Sequence, residues 1–266
     1  ITVIIFLGVL SHWLAWRFQI ASIILLLFFG LIVGPFTGLI YPDALFGDML
    51  PELVALGVAL ILFEGGLNLR IEELSTTGDV VRNLITIGVV ITWLSATVFA
   101  YLLLDLPLGI CMLLSAILVV SGPTVIGPLL RQVRLSSHAD SALEWEGILN
   151  DPIGALLAVL VFEILITSQT MAEGTSIFVL GLFQILTVSI VFGIGGALIL
   201  TRLIRNYWIP DHLYNPVSLG LVLLVFTVSN QLASESGLLA VTLMGIFVGN
   251  QRSIAVRDLI EFKEDL

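Results

Sequence analysis

The stretch EWEGILNDPIG, residues 144–154, decides how this sequence is interpreted. It places three acids, Glu144, Glu146 and Asp151, at the start of a run that is otherwise apolar enough to cross a membrane. A carboxylate inside the hydrocarbon costs about 2.5–3.5 kcal/mol on insertion scales, and acids in such positions are functional by default. Asp151, with Asn150 beside it, is therefore the first candidate for a functional site.

The composition around this stretch is that of a membrane protein. The 266 residues are 58% hydrophobic and 11% charged, whereas a soluble domain carries about 25% charge. Five segments of 22 or more residues contain no Asp, Glu, Lys or Arg, and they cover 18–42, 83–104, 106–130, 174–201 and 213–234. A spanning helix needs about 20 apolar residues. We therefore predict an all-α, polytopic membrane protein in the lipid bilayer, with no nucleic-acid partner.

Glycine, proline and charge divide the sequence into about nine predicted helices. Their approximate bounds are 1–16, 20–40, 51–69, 82–104, 107–131, 140–168, 175–204, 214–234 and 237–250. The sequence begins inside the first of them, so we expect a segment upstream.

The basic residues indicate which way these helices run. All ten lie in or beside alternate connections or after the last helix: Arg17, Arg70, Arg82, Arg131, Arg134, Arg202, Arg205, Arg252, Arg257 and Lys263. The other connections carry acids and no Lys or Arg. Because basic residues concentrate on the cytoplasmic side, we expect the N-terminus outside and the basic connections in the cytoplasm. A multi-pass protein of the cell membrane, plasma or inner, is predicted.

The sequence also contains an internal repeat. LSHWLA…GLIVG (10–34) is echoed by VSNQLA…GIFVG (228–249), seven helices later. An odd number of spans inverts the second unit, and inverted repeats are typical of secondary transporters that bind substrate near the midplane at broken helices. We predict one transmembrane domain over 1–266, with a second repeat that starts near residue 214 and is incomplete at Leu266.

Two further stretches could contribute to a site beside Asp151, which lies about 16 Å along its predicted helix. VVSGPTVIGP (119–128) places Ser121, Gly122 and Thr124 in mid-span next to prolines. Proline frees backbone carbonyls, which at this depth must be buried or line a cavity; hydroxyl and carbonyl oxygens suit a hard monovalent cation. LFEGGLNL (62–69) adds Glu64 beside a glycine pair.

No cofactor or metal site is expected. His12, His138 and His212 fall near predicted helix ends without a second ligand at helical spacing, and Cys111 has no partner cysteine. An enzyme is not expected either. An intramembrane protease needs a Ser/His pair or two midplane aspartates, and this sequence has one deep Asp.

Taken together, these motifs resemble the monovalent cation:proton antiporter superfamily in its sodium/proton exchanger branch. EGILNDPIG is similar to the Glu-x-x-x-Asn-Asp pattern of that branch, and SGPT sits where the branch has a Thr-Asp-Pro break. FEGGL is similar to its helix-three acid, and SGLLAVTLMGIFVGN to the opening of its second repeat. The resemblance covers essentially the whole chain and implies an inverted-repeat sodium/proton-antiporter fold whose broken helices cross at the midplane.

The resemblance implies roles for single residues. Asp151 would bind the cation or proton with Asn150 as its neighbour, Ser121 and Gly122 would line the crossing, and Glu64 would support the site. Glu146 would form a structural ion pair with a basic residue, which we expect beyond Leu266 in a missing C-terminal half of the membrane domain. The branch often has Asp and Ser where this chain has Gly122 and Gly147. The resemblance therefore does not assign the cation.

The predicted function is secondary exchange of a monovalent cation, Na⁺ first and Li⁺ or K⁺ next, for protons. A single exchanging carboxylate makes the exchange electroneutral. We expect a homodimer with a role in pH homeostasis and sodium transport. Two alternatives stay open at this point: a gated K⁺ efflux protein of the same fold and a sodium-coupled carrier of organic solutes.

Overall fold

The structure is a computed structural model that describes residues 2–18, 20, 22–122, 137–167 and 171–251. Over these ranges the chain is helical apart from short connections, and no β-strand occurs. Five helical segments of the described chain are long and apolar enough to cross a membrane: Met49–Asn68, Ile71–Leu104, His138–Thr167, Gly174–Arg205 and Tyr214–Leu232. These observations confirm the predicted all-α membrane class.

Eleven α-helices lie within the described ranges. In chain order they are α1 (Thr2–Phe18), α2 (Ser22–Leu31), α3 (Pro42–Phe46), α4 (Met49–Asn68), α5 (Leu74–Asn83), α6 (Val89–Leu104), α7 (Leu108–Leu118), α8 (Ser137–Thr167), α9 (Met171–Arg205), α10 (Tyr214–Leu232) and α11 (Ser236–Gly249). A π-helical turn, Ile32–Phe36, extends α2 and contains Pro35; a second, Leu84–Gly88, joins α5 to α6.

The described chain forms two compact units, one of residues 2–55 and one of the described residues from 56 onward. In the first unit α1 packs against α2. A mainly apolar groove of about 240 Å³ runs beside these helices and is lined by Gly8, Gly30 and Gly34 among others. Ser11 lies on the same groove and donates its hydroxyl to the Leu7 carbonyl at 2.7 Å.

In the second unit α8 is the central helix, because it packs against α5, α7, α9 and α11. It contributes to three buried clusters through Trp145, Leu157 and Leu160 among other residues. Pro152 lies inside α8 and is fully buried. Since proline has no N–H, the Ile148 carbonyl one turn earlier loses its helical hydrogen bond.

The helix α5 differs from the prediction, which treated the segment between Arg70 and Arg82 as a connection. Its sequence LSTTGDVVRN is polar, so it contains no membrane-crossing signal. Thr77 and Val81, four residues apart, are nevertheless buried, and Val81 belongs to the cluster formed with Trp145 and Ile148 of α8. Ser141 of α8 also donates to Glu73 at 2.7 Å. The amphipathic face therefore docks α5 on the start of α8.

The second half of α4 approaches α11 at backbone distance. A Cβ placed on Gly66 would lie 2.7 Å from the Thr242 carbonyl oxygen, and one on Gly245 would overlap the Phe63 carbonyl oxygen. Gly245 and Gly249 form a G-x-x-x-G pair, the pattern that lets two membrane helices pack closely. Asn250 then holds the end of α4, since its side chain accepts from the Ile71 N–H at 2.8 Å and donates to the Leu69 carbonyl at 2.7 Å.

Candidate functional site

The end of α7 meets the middle of α8. The helix α7 ends at Leu118, and residues 120–122 follow in non-helical conformation. The end of a helix leaves carbonyl groups without an intrahelical partner, and the Asn150 side chain supplies one by donating to the Val119 carbonyl at 2.9 Å. A Cβ on Gly154, one turn further along α8, would overlap the Val120 side chain. The absence of a side chain at Gly154 therefore allows the chain after α7 to lie against α8.

Glu146 is held at this junction by two donors. Ser121 donates its hydroxyl to Glu146 Oε1 at 2.7 Å, and the Asn150 amide donates to the same oxygen at 3.1 Å. The Asn150 amide also lies 3.2 Å from the Ser121 hydroxyl oxygen. The hydrogen bonds of these three side chains therefore form a closed network. Within the described ranges Glu146 forms no ion pair, so its predicted basic partner stays a prediction.

The orientation of Asn150 follows from these partners. The Val119 carbonyl and the Glu146 carboxylate can only accept hydrogen bonds, so both require the NH₂ end of the amide. The amide oxygen, Asn150 Oδ1, consequently points away from the network. It is buried and finds no hydrogen-bond donor in the described part of the chain.

The next residue, Asp151, also has an oxygen without a hydrogen-bond donor. Its carboxylate is half-buried, and its Oδ1 atom is buried without a hydrogen-bond donor among the described residues. Leaving a buried acceptor unsatisfied costs about 1–3 kcal/mol, and more when the acceptor is charged. A proton on the carboxyl group, or a cation bound to it, would remove that cost. Asp151 is close to the midpoint of the 31-residue helix α8.

The other predicted site residues are placed as follows. Gly122 is half-buried and follows Ser121 directly. Glu64 is half-buried on α4 and makes no hydrogen bond with the residues that the structure describes. Its neighbour Gly65 faces Ile148 of α8, since a Cβ there would lie 3.2 Å from the Ile148 side chain. Thr124 lies outside the described residues.

One contributor to the junction was missed by the sequence interpretation. It is the Val119 carbonyl, a backbone group that carries no side-chain signal. Among the described residues, no group of three His, Cys, Asp or Glu side chains could hold a metal ion.

Comparison with known proteins agrees with this architecture. A family model described as "Sodium/hydrogen exchanger, transmembrane" matches residues 2–261. The chain is similar to the K(+)/H(+) antiporter NhaP2 of Shewanella baltica (strain OS223), with 30% identity over 196 residues, 74% of this chain and 34% of that protein. It is also similar to the Na(+)/H(+) antiporter 1 of Methanocaldococcus jannaschii, with 27% identity, 98% of this chain and 62% of that protein. The chain thus spans between about a third and two thirds of these relatives.

The fold has a close counterpart among solved structures. The sodium proton antiporter MjNhaP1 from Methanocaldococcus jannaschii at pH 8 superimposes with a TM-score of 0.82 and 26% sequence identity. The similarity covers 99% of this chain and 65% of that one. The chain therefore shares the fold of the matched part of that antiporter.

Proposed function

This chain belongs to the sodium/hydrogen exchanger family, and from that premise we propose that the protein exchanges a monovalent cation for protons across a membrane. The family is one of transporters rather than of catalytic enzymes. The observation that supports this most directly is the unfilled oxygen of Asp151 at the midpoint of α8. Either a bound proton or a bound cation would supply the interaction that this buried carboxylate oxygen lacks. Competition between the two for one group is sufficient for exchange.

The surrounding network supports a division of roles. Glu146 already accepts hydrogen bonds from Ser121 and Asn150. Asp151 is therefore the group that alternates between proton and cation. The Asn150 oxygen, on the neighbouring residue, has no hydrogen-bond donor among the described residues. Carboxylate and carbonyl oxygens are hard ligands. Na⁺ is our first choice of cation, with Li⁺ and K⁺ next, and the relatives bear the names of both Na⁺ and K⁺ antiporters.

The experiment that tests this function measures proton movement in proteoliposomes of the full-length protein. Adding Na⁺, Li⁺ or K⁺ outside vesicles loaded with a pH-sensitive dye should release internal protons, and protein-free vesicles should not respond. One alternating carboxylate carries one charge, so one cation is exchanged for one proton and no current should flow. With Na⁺ as the exchanged ion and K⁺ held constant, a membrane potential set by valinomycin should therefore not change the rate. A strong dependence on potential would contradict the one-carboxylate stoichiometry, and no proton movement with any of the three cations would contradict exchange itself.

We further propose that the N-terminus lies outside and the basic connections lie in the cytoplasm of the cell membrane. The proposal is supported by Arg17 in the last turn of α1 and by Arg202 and Arg205 in the last turn of α9, since such residues mark the cytoplasmic side. Asp105, in contrast, is an exposed acid directly after the C-terminal end of α6, where we expect the outer side. We also propose that the protein forms a homodimer, which light scattering of the purified full-length protein would check.

Cysteine labelling tests the orientation. Asp105→Cys should react with a membrane-impermeant maleimide added to intact cells, whereas Arg205→Cys should react only after permeabilisation. Both positions are exposed, so access to the reagent differs only by side. The native Cys111 is buried and is replaced by alanine in both variants. Labelling of both variants in intact cells, or of neither, would rule out the proposed orientation.

A further inference from the structure

A polar cavity lies near the C-terminal end of α8, away from the junction where the end of α7 meets the middle of α8. It has a volume of about 190 Å³ and is lined by residues of α8, α9 and the α10–α11 connection: Val159, Glu163, Gly181, Gln184, Ile185, Asn230, Gln231, Leu232, Ala233 and Ser234. Glu163 is twelve residues beyond Asp151, which corresponds to about 18 Å along the helix axis. The cavity is therefore separate from the site around Asp151 and is borne by the same helix.

The wall of the cavity is held in place by hydrogen bonds. Gln184 donates through Nε2 to the Leu232 carbonyl at 2.9 Å, and Asn230 accepts from the Gly237 N–H at 2.7 Å. These bonds fix the short connection between α10 and α11. The Gln184 amide is fixed with its donor end on the backbone, so its oxygen is left for the cavity. Within the described ranges neither that oxygen nor Gln231 has a hydrogen-bond partner.

Glu163 provides the charge of this cavity. Its carboxylate is exposed and has no hydrogen bond or ion pair with the described residues. The described basic residues of the neighbouring helices are far away: Arg202 is eighteen residues beyond Gln184 on α9, about 27 Å along the axis. Among the described residues, the cavity thus combines one unpaired negative charge with amide oxygens, and this combination favours a cation of single charge.

The volume decides in which form such a cation would bind. A water molecule occupies about 30 Å³ in the liquid, so the cavity has room for an ion that keeps several of its waters. We propose, on the basis of the exchange function and the membrane orientation proposed above, that this cavity binds a hydrated monovalent cation and raises its concentration at the outer end of α8. A charged cleft concentrates counter-ions in this way and thereby increases their rate of association.

Glu163→Gln tests the proposal in right-side-out proteoliposomes of the full-length protein. The KM for Na⁺ or K⁺ added at the outer face should rise roughly threefold to tenfold, the effect of one unit charge a few ångströms away in a watery cavity. The rate at saturating cation and the KM at the inner face should be unchanged. Raising the ionic strength with a large impermeant cation should reduce the difference from the wild type, because salt screens exposed charges.

Three further variants make the test specific. Glu52→Gln removes an exposed acid of α4 that is not among the cavity residues and should leave the outer KM unchanged. Glu163→Asp keeps the charge and should stay close to the wild type. Gln231→Glu adds a second carboxylate to the cavity and should lower the outer KM, and it provides a test even if Glu163→Gln does not fold.

Other outcomes would overturn the inference while leaving the exchange function intact. An outer KM that is unchanged in both Glu163→Gln and Gln231→Glu would show that the cavity does not concentrate the cation. An equal rise at both faces, or a lower saturated rate without a change of KM, would indicate a structural role for Glu163. If the wild type itself performs no exchange, the function proposed above is what fails.

Discussion

Asp151→Asn should reduce cation–proton exchange to the rate of protein-free vesicles. The amide keeps the size and polarity of the side chain but can neither take up a proton nor neutralise a bound cation. Since Glu146 is engaged with Ser121 and Asn150, no other carboxylate of the described junction is available to replace it. The measurement is Na⁺- or K⁺-induced release of internal protons from proteoliposomes of the full-length variant.

Two control variants distinguish loss of the alternating carboxylate from loss of the fold. Asp140→Asn removes an exposed acid from the first turn of the same helix and should exchange at the wild-type rate. Asp151→Glu restores a carboxylate at a slightly different position and should retain measurable exchange. The thermal unfolding midpoint of Asp151→Asn should not fall below that of the wild type, because a neutral amide replaces a buried oxygen that lacks a donor. Exchange that persists in Asp151→Asn with its pH dependence intact would mean that another carboxylate alternates.

The broad class of the fold could be predicted because its signals are local. The length of an apolar run and the positions of glycine and proline are properties of each segment alone. They indicated the five described segments that are long and apolar enough to cross a membrane. The helix α5 carries no such signal. Its polar sequence becomes helical through contacts of Thr77 and Val81 with the rest of the fold, and tertiary contacts of this kind override local preference.

The sequence indicated several residues of the candidate site but not the hydrogen bonds between them. The cost of burying Asp151 and Glu146 could be inferred from the sequence, and the proline-containing stretch 119–128 indicated Ser121. The pairing of Glu146 could not be inferred in the same way. A buried acid indicates that it needs partners, but it does not indicate which ones, and the basic partner of Glu146 stays a prediction. Two neutral donors, Ser121 and Asn150, occupy Glu146 within the described ranges, and they come together only because α7 ends at Leu118.

The contact between α4 and α11 shows the same limit at long range. The pattern Gly245–x–x–x–Gly249 indicates that some helix packs closely on α11, but it does not indicate which. In the structure that helix is α4, which precedes α11 by well over a hundred residues. The neighbouring residue of α4, Gly65, in turn lies against Ile148 of α8. Helix α4 is therefore packed between α11 and the helix that carries Asp151.

Gly245→Ala should destabilise the protein by about 1–3 kcal/mol, the usual cost of overfilling a packed interface. The added Cβ would overlap the carbonyl oxygen of Phe63. A Cβ on the facing Gly66 would likewise lie only 2.7 Å from the Thr242 carbonyl oxygen. Backbone atoms cannot move aside by changing rotamer, so the two helices must separate. The measurement is the thermal unfolding midpoint of the purified full-length protein in detergent.

Gly220→Ala is the matched control, because a Cβ on Gly220 in α10 meets nothing within 4 Å. Replacing an unconstrained helical glycine reduces the entropy of the unfolded chain, so this variant should gain about 0.4–1 kcal/mol. The two alanines add the same atom to neighbouring helices, and the sign of the shift should differ. Gly245→Ala should also slow exchange, since a displaced α4 moves Glu64 and releases the contact between Gly65 and Ile148 beside the Asp151 site. Equal unfolding midpoints for the two variants would mean that α4 and α11 are not in backbone contact, and the support that α4 gives to α8 would then need another source.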